Sequence, residues 1–200
     1  MNVGILGGTF DPFHNGHRTI IDAAIRDLEL DEVLLMPAHV SPFKIGHEMA
    51  PSQDRVNMLM SVADEMDRVK VSTYEIDSEK ISYTYNTLTA LREKYPKGWR
   101  FWFLLGTDQF LQLEQWYHGK DLMREFRIAL APRPGYREKE YLDMLARYRR
   151  EYHTVIRVLE NVRFDVSSTE IKERIREGKS ISGLVPASVE RYINEHGLYR

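Results

Sequence analysis

The sequence predicts an α/β fold: a doubly wound, mainly parallel sheet with helices on both faces. Apolar runs of strand length alternate along the chain with segments of helical period, and glycines or prolines end most of these runs. The most apolar run, residues 99–105, is typical of a strand buried on both faces. Strands that are joined through helices pair in parallel, because each crossover covers one face of the sheet.

Each element follows from its local pattern. Residues 2–6 form an apolar run that ends at a glycine pair, residues 32–36 form a second run that stops at a proline, and residues 16–28 show a helical period. The other strands are expected at 69–76, 99–105, 127–131 and 155–159, and the other helices at 52–65, 84–95, 137–152, 169–177 and 186–195. The polar stretch 38–51 is expected to be a long loop, and such loops are often functional.

The amino-acid composition excludes several classes of protein. The 200 residues include no cysteine, which excludes a disulfide framework, a thiolate zinc site and a cysteine nucleophile. The formal net charge is −2, without the basic excess of a general nucleic-acid binder. No run approaches the roughly 20 apolar residues that cross a bilayer, and the N-terminal residues lack the basic region of a signal peptide. We expect a cytoplasmic protein with neither nucleic-acid nor membrane partners.

No repeat, low-complexity tract or linker interrupts the chain, so residues 1–200 are expected to form one Rossmann-like domain. The sequence leaves the oligomeric state open, a homo-oligomer included.

The strongest motif is GGTFDPFHNGH at residues 7–17, between the first strand and the first helix. Its glycines let backbone approach a ligand closely, and a helix start offers unpaired N–H groups to an anion. His14 and His17 are three residues apart, which places both imidazoles on one side of that helix start, in reach of a phosphate. The alternative is a structural or metal-binding pair, although two histidines without further ligands make a poor metal site.

This string closely resembles the G-G-T-F-D-P-x-H-x-G-H signature of bacterial-type nicotinate-mononucleotide adenylyltransferases, in the H-x-G-H nucleotidylyltransferase superfamily. The resemblance implies an enzyme of NAD biosynthesis that transfers the adenylyl group of ATP to nicotinate mononucleotide, giving nicotinate adenine dinucleotide and pyrophosphate. It makes His14 and His17 the catalytic residues. It also implies Mg²⁺ bound through the ATP phosphates, with no metal held by the protein itself.

Further segments are similar to family motifs in the family's order, namely SYTYNTL at 82–88, GTDQF at 106–110 and SSTEIK at 167–172. The resemblance assigns ATP binding to Gly7, Gly8, Thr9, Phe10, Gly106, Asp108, Ser168, Thr169 and Lys172. It assigns mononucleotide binding to Lys44, Thr84, Trp116, Tyr117 and Arg133. The chain departs from the family pattern at Asn86, where an Asp is usual, at Phe43, where a His is usual, and at Lys172, where an Arg is usual.

The chemistry of these residue types fits the assignments. A flat pyridine matches the indole face of Trp116, and a hydroxyl-rich helix start with a cation one turn later suits a triphosphate tail. A lysine at position 172 keeps the charge but loses the bidentate fork of an arginine. A core tryptophan and simple helix capping by the serines and threonines are the structural alternatives.

A mononucleotide phosphate is already anionic near neutral pH, so the implied reaction needs in-line positioning and charge neutralisation rather than a general base. Rival interpretations keep the chemistry and change the acceptor, to nicotinamide mononucleotide, phosphopantetheine, or a polyol phosphate with CTP. Two other interpretations assign a different class of protein. One is a non-catalytic nucleotide sensor on the same scaffold, and the other is a class I tRNA-synthetase-like domain.

Overall fold

The structure, a computed structural model, describes residues 1–133, 138–162 and 166–200. Over these residues six strands form one sheet with the order β3-β2-β1-β4-β5-β6, and every neighbouring pair is parallel. The strands are β1 (Asn2–Gly8), β2 (Glu32–Pro37), β3 (Val69–Val71), β4 (Arg100–Gly106), β5 (Arg127–Ala131) and β6 (Ile156–Val158). The predicted fold class is confirmed.

Helices connect and flank the strands. They are α1 (Asn15–Leu28), α2 (Ser52–Ala63), α3 (Tyr74–Asp77), α4 (Thr84–Lys94), α5 (Thr107–Gln112), α6 (Gly119–Glu125), α7 (Glu138–Tyr152), α8 (Ser168–Arg176) and α9 (Ala187–His196). The first residue of the helix predicted over 137–152 lies outside the described residues. Within the described ranges, no helix combines the length and apolarity needed to cross a bilayer.

The third strand is shorter than predicted, because only the first three of residues 69–76 pair with β2. Pairing ends at Val71, and the chain then turns into the short helix α3. The hydroxyl of Thr73 donates to the carboxylate of Asp77 at 2.7 Å, which closes this turn with a local contact. The sequence also missed α5 and α6, which are too short to show a clear helical period.

The hydrophobic core has two layers, one on each face of the sheet. The central strand β4 supplies both, since Leu104 packs into one layer and Leu105 into the other, each fully buried. This two-sided burial is what the apolar run 99–105 predicted.

The strand order reverses between β1 and β4, which are neighbours in the sheet. From β1 the chain proceeds outward through β2 and β3, and from β4 it proceeds outward through β5 and β6. The connections that follow β1 and β4 therefore diverge and leave a crevice at the carboxyl ends of these strands, which is where open α/β sheets bind ligands.

Truncation of the central strand is expected to destabilise the protein strongly. Leu104→Ala should lower the free energy of unfolding by about 2–5 kcal/mol, because it opens a cavity in a fully buried layer. The matched control is Leu142→Ala on α7, since 44% of Leu142 is exposed and its change should stay within about 0.5 kcal/mol. Urea denaturation measures both, and equal losses would contradict the layer assignment.

Candidate active site

A cavity of ≈ 470 Å³ opens at the reversal of strand order. Its walls come from the turn after β1, the 38–51 loop, the starts of α4, α5 and α8, and the segment before α6. Both its size and its place at the carboxyl ends of β1 and β4 are typical of a small-molecule site.

The structure brings almost all of the predicted site residues together at this cavity. Those that line it are Gly7, Gly8, Thr9, Phe10, His14, His17, Lys44, Thr84, Gly106, Asp108, Trp116, Tyr117, Arg133, Ser168 and Thr169. Of the three departures from the family pattern, Phe43 lines the cavity, whereas Asn86 is exposed outside it. The third departure, Lys172, is described below.

The two imidazoles are stacked on one another at the start of α1. Their ring centroids are 3.7 Å apart with an interplanar angle of 23°. The backbone N–H of His14 donates to Nδ1 of His17 at 3.2 Å, so a neutral His17 carries its proton on Nε2 and can donate it to a ligand. The phenyl rings of Phe10 and Phe13 flank His17 at 5.0 and 5.2 Å and fix its plane.

Burial keeps both imidazoles neutral. It lowers the pKa of His14 to about 3, with a further lowering by the charge of Arg133. The pKa of His17 is also held well below 6.5, mainly by burial and then by His14, Arg133 and Lys44. At pH 7 the pair therefore offers hydrogen-bond donors without formal charge.

The glycine between the histidines is needed for this stacking. A Cβ on Gly16 would lie 2.9 Å from Nδ1 of His14 and 3.3 Å from Val166, so any side chain would displace the ring. Asn15 anchors the same helix start to the C-terminal part of the chain, because its backbone N–H donates to Leu184 O at 2.8 Å.

Two cationic side chains lie at the cavity beside the imidazoles. The ammonium of Lys44 donates to the Thr9 hydroxyl at 2.9 Å, and burial, then the charge of Lys172, lowers the pKa of Lys44. Arg133 donates to Val166 O at 3.3 Å, and its guanidinium lies 3.8 Å from a carboxylate oxygen of Asp108. This part of the cavity is suited to phosphate groups.

Lys172, which the sequence interpretation placed on the triphosphate, contacts a buried carboxylate. Its side chain does not line the cavity, and its ammonium pairs with Asp11 at 2.9 Å. Asp11 is fully buried, and its other oxygen accepts from the Ala50 N–H at 3.0 Å and the Tyr199 hydroxyl at 2.9 Å. Lys172 therefore forms an ion pair with a buried carboxylate that does not line the cavity.

The start of α8 uses its hydroxyls to cap the helix and fix it in place. Ser167 is the N-cap, and its side chain accepts from the Glu170 N–H at 3.1 Å. Ser168 donates to Pro12 O at 3.0 Å, which ties this helix start to the turn after β1. The turn after β1 and the start of α8 therefore face the same cavity.

Aromatic rings form the opposite end of the cavity. Trp116 lies 5.6 Å from Phe43 and 6.0 Å from Phe103 between ring centroids, and Tyr117 lies 4.5 Å from Tyr83. The cavity therefore has a cationic end beside the imidazoles and an aromatic end beside the start of α4.

Sequence reasoning missed Arg55, which is 1% exposed although it carries a guanidinium. It donates to Thr9 O and Ala38 O, each at 2.8 Å, and to Ala50 O at 3.3 Å. These bonds join the turn after β1 to both ends of the 38–51 loop. A signal existed in the sequence, since Arg55 stands beside Val56 on the buried side of a predicted helix.

Sequence reasoning also missed Glu75, which it placed in a strand. Helix α3 instead turns this side chain to the aromatic end of the cavity, where the residue is 8% exposed. Burial raises the pKa of Glu75, and hydrogen bonds from Thr87 and Ser82 oppose that shift.

Residues 5–174 match the family model described as cytidylyltransferase-like. The chain is 34% identical over 205 residues to a probable nicotinate-nucleotide adenylyltransferase of Clostridium botulinum (strain Okra / Type B1), with 100% of both chains covered. It is also 34% identical over 198 residues to the protein of the same name from Desulfitobacterium hafniense (strain DSM 10664 / DCB-2), covering 99% of this chain and 95% of that one.

Solved structures share the fold. The Plasmodium falciparum nicotinic acid mononucleotide adenylyltransferase complexed with NaAD superimposes with a TM-score of 0.80 at 19% identity, covering 99% of this chain and 97% of the other. The same Plasmodium falciparum enzyme complexed with APC also gives 0.80, at 18% identity, covering 99% and 96%. At these sequence identities, the structural similarity shows that the chains share a fold.

The burial of His14 should make stability depend on pH. Because its folded pKa of about 3 lies below the ordinary value of 6.5, the unfolded chain binds more protons between these values, and stability is lost as the pH falls through 6.5. The loss from His14 should reach about 2 kcal/mol at pH 5. Urea denaturation of the wild type and of His14→Asn at pH 7.5 and 5 measures it. The variant should lose about 2 kcal/mol less than the wild type over this interval, and an equal loss would contradict neutral burial.

Proposed function

The chain belongs to the cytidylyltransferase-like family and, within it, to the nicotinate-nucleotide adenylyltransferases, and from this premise we propose how its cavity works. The enzyme transfers the adenylyl group of ATP to nicotinate mononucleotide and releases pyrophosphate, giving nicotinate adenine dinucleotide. One observation carries the residue roles: two stacked neutral imidazoles stand in a single cavity with a hydroxyl-rich helix start and an aromatic end.

The reaction is a displacement at phosphorus. An oxygen of the mononucleotide phosphate attacks the α-phosphorus of ATP, the bond from that phosphorus to the oxygen bridging the β-phosphate breaks, and pyrophosphate leaves. Because the attacking oxygen is already anionic, the protein has to align the two substrates and stabilise the charge that moves onto the leaving group.

His14 and His17 are the catalytic residues in this proposal. Their neutral rings donate hydrogen bonds to the α-phosphate as its charge is redistributed, and the N–H on Nε2 of His17 is the better-defined donor. Neutral donors suit this position, because a permanent cation would also bind the ground state tightly and would contribute less to the rate.

The other residues near the imidazoles bind the phosphates of the two substrates separately. Ser168 and Thr169, with the backbone N–H groups of the α8 start, hold the β- and γ-phosphates. Lys44 and Arg133 hold the mononucleotide phosphate. Lys172 supports the triphosphate site from behind through Asp11.

The two nucleosides pack against different walls of the cavity. Adenosine packs against the turn after β1 and the start of α5, formed by Gly7, Gly8, Thr9, Phe10, Gly106 and Asp108. The pyridine stacks on Trp116, with Tyr117 and Thr84 beside it. Its carboxylate accepts hydrogen bonds from backbone N–H groups at the start of α4, in the manner of an anion at a helix N-terminus.

Ser168 and Thr169 at the α8 start would hold the phosphates that carry Mg²⁺, and this ion would supply positive charge for the leaving pyrophosphate. In the described part of the chain, no group of three or more His, Asp or Glu side chains could hold a metal ion.

A pyrophosphate-release assay tests the function. With ATP and Mg²⁺, nicotinate mononucleotide should give pyrophosphate and the dinucleotide in equal amounts, and its kcat/KM should exceed that of nicotinamide mononucleotide. If neither mononucleotide supported pyrophosphate release, the enzymatic role would be excluded and a nucleotide sensor would be favoured. A preference for the amide would exclude the assigned acceptor.

Loss of the central donor should reduce turnover. His17→Ala is expected to lower kcat about 100-fold or more with far less effect on either KM, because the contact matters most when charge develops. His47→Ala is the matched control, since His47 is exposed and does not line the cavity. A His17→Ala enzyme with near wild-type kcat would remove the imidazole pair from the mechanism.

A further inference from the structure

Glu75 is a buried carboxyl that the adenylyl-transfer chemistry does not use. It is 8% exposed and lines the aromatic end of the cavity together with Ser82, Tyr83 and Thr84. No ion pair among the described residues includes it, and no charged group contributes to its pKa shift. A buried carboxyl without a neighbouring cation is stabilised by hydrogen bonds. The hydrogen bonds of Glu75 therefore identify the segments of the chain that it connects.

Those contacts join three segments of the cavity wall. The hydroxyl of Thr87, in the first turn of α4, donates to Oε1 of Glu75 at 2.5 Å in a buried bond. Ser82 lies near enough to the same carboxyl to lower its pKa by hydrogen bonding, and its hydroxyl accepts from the His39 N–H, in the 38–51 loop, at 3.0 Å. Glu75 itself lies in α3, so one carboxyl fixes the α4 start, the segment before it and the long loop.

The position of the first turn of α4 affects the choice between a carboxylate and a carboxamide ligand. Its first backbone N–H groups have no partner within the helix, and the first intrahelical bond runs from the Thr87 N–H to Tyr83 O. Aligned N–H groups favour a carboxylate, which accepts at both oxygens, over a carboxamide, which has one acceptor and an NH₂ group facing other donors. This preference lasts only while the turn holds its orientation.

We propose that Glu75 is a positioning residue that sets the preference for the acid over the amide mononucleotide, by holding the first turn of α4 through Thr87 and Ser82. The inference rests on the proposed function, because it assumes that the pyridine carboxylate meets this turn. Glu75 acts through its neighbours and does not contact the reacting phosphates.

Steady-state kinetics of Glu75→Ala test the inference, with both mononucleotides and with ATP varied in turn. KM for nicotinate mononucleotide should rise about tenfold, as expected for loss of a hydrogen bond to a charged group. The acid-to-amide ratio of kcat/KM should fall by a similar factor, while KM for ATP and kcat should stay within about twofold to threefold. Glu75→Gln should restore most of the ratio, because its amide oxygen still accepts from Thr87.

Two further variants complete the design. Thr87→Val removes the donor and keeps the shape, so the acid-to-amide ratio should fall in the same direction, and this variant decides the matter if Glu75→Ala does not fold. Glu93→Ala is the control, since Glu93 is an exposed carboxylate farther along α4 and should leave every constant unchanged.

The outcomes separate the two claims. An active wild type whose Glu75→Ala variant raises both KM values alike, or keeps its acid-to-amide ratio, overturns the role of Glu75 and leaves the adenylyl transfer intact. A wild type that forms no dinucleotide from the acid overturns the proposed function, and this inference falls with it.

Discussion

The burial of one guanidinium among backbone carbonyls gives the cavity its shape. Arg55 bonds the turn after β1 and both ends of the 38–51 loop, and Asp11 lies close enough for its charge to raise the pKa of this guanidinium against the lowering by burial. Removing a charge from water is costly, and only a full set of hydrogen bonds with an opposite charge nearby offsets that cost. The geometry of the turn after β1 and of the 38–51 loop is therefore linked to a single side chain.

The chemistry of the cavity follows from the same burial. Low local polarity keeps the stacked imidazoles of His14 and His17 neutral, so at the centre of the site the donors carry no formal charge. Lys44 and Arg133 supply positive charge to the cavity wall beside the imidazoles. In the proposed mechanism, the neutral imidazoles respond to the charge that moves during transfer, and the cations bind the charged substrates.

The strands and the signature after β1 could be predicted from the sequence, because apolar period, glycine punctuation and a contiguous motif are local properties. The roles of Arg55, Glu75 and Lys172 could not, because they depend on contacts between distant segments. Lys172 meets Asp11 from 161 positions away along the chain, so no local pattern in the sequence indicates this pairing. Glu75 was predicted in the strand over 69–76, and a single helical turn places it in the wall of the cavity instead.

The protonation state of the imidazoles is the most direct test of the catalytic arrangement. ¹⁵N NMR of the histidine rings, followed from pH 8 to 5 with and without a non-hydrolysable ATP analogue, measures it for both residues. The arrangement predicts neutral rings for His14 and His17 over the whole range, a proton on Nε2 of His17, and a shift of both rings when the nucleotide binds. Titration of either ring near 6.5, or no response to the nucleotide, would contradict it.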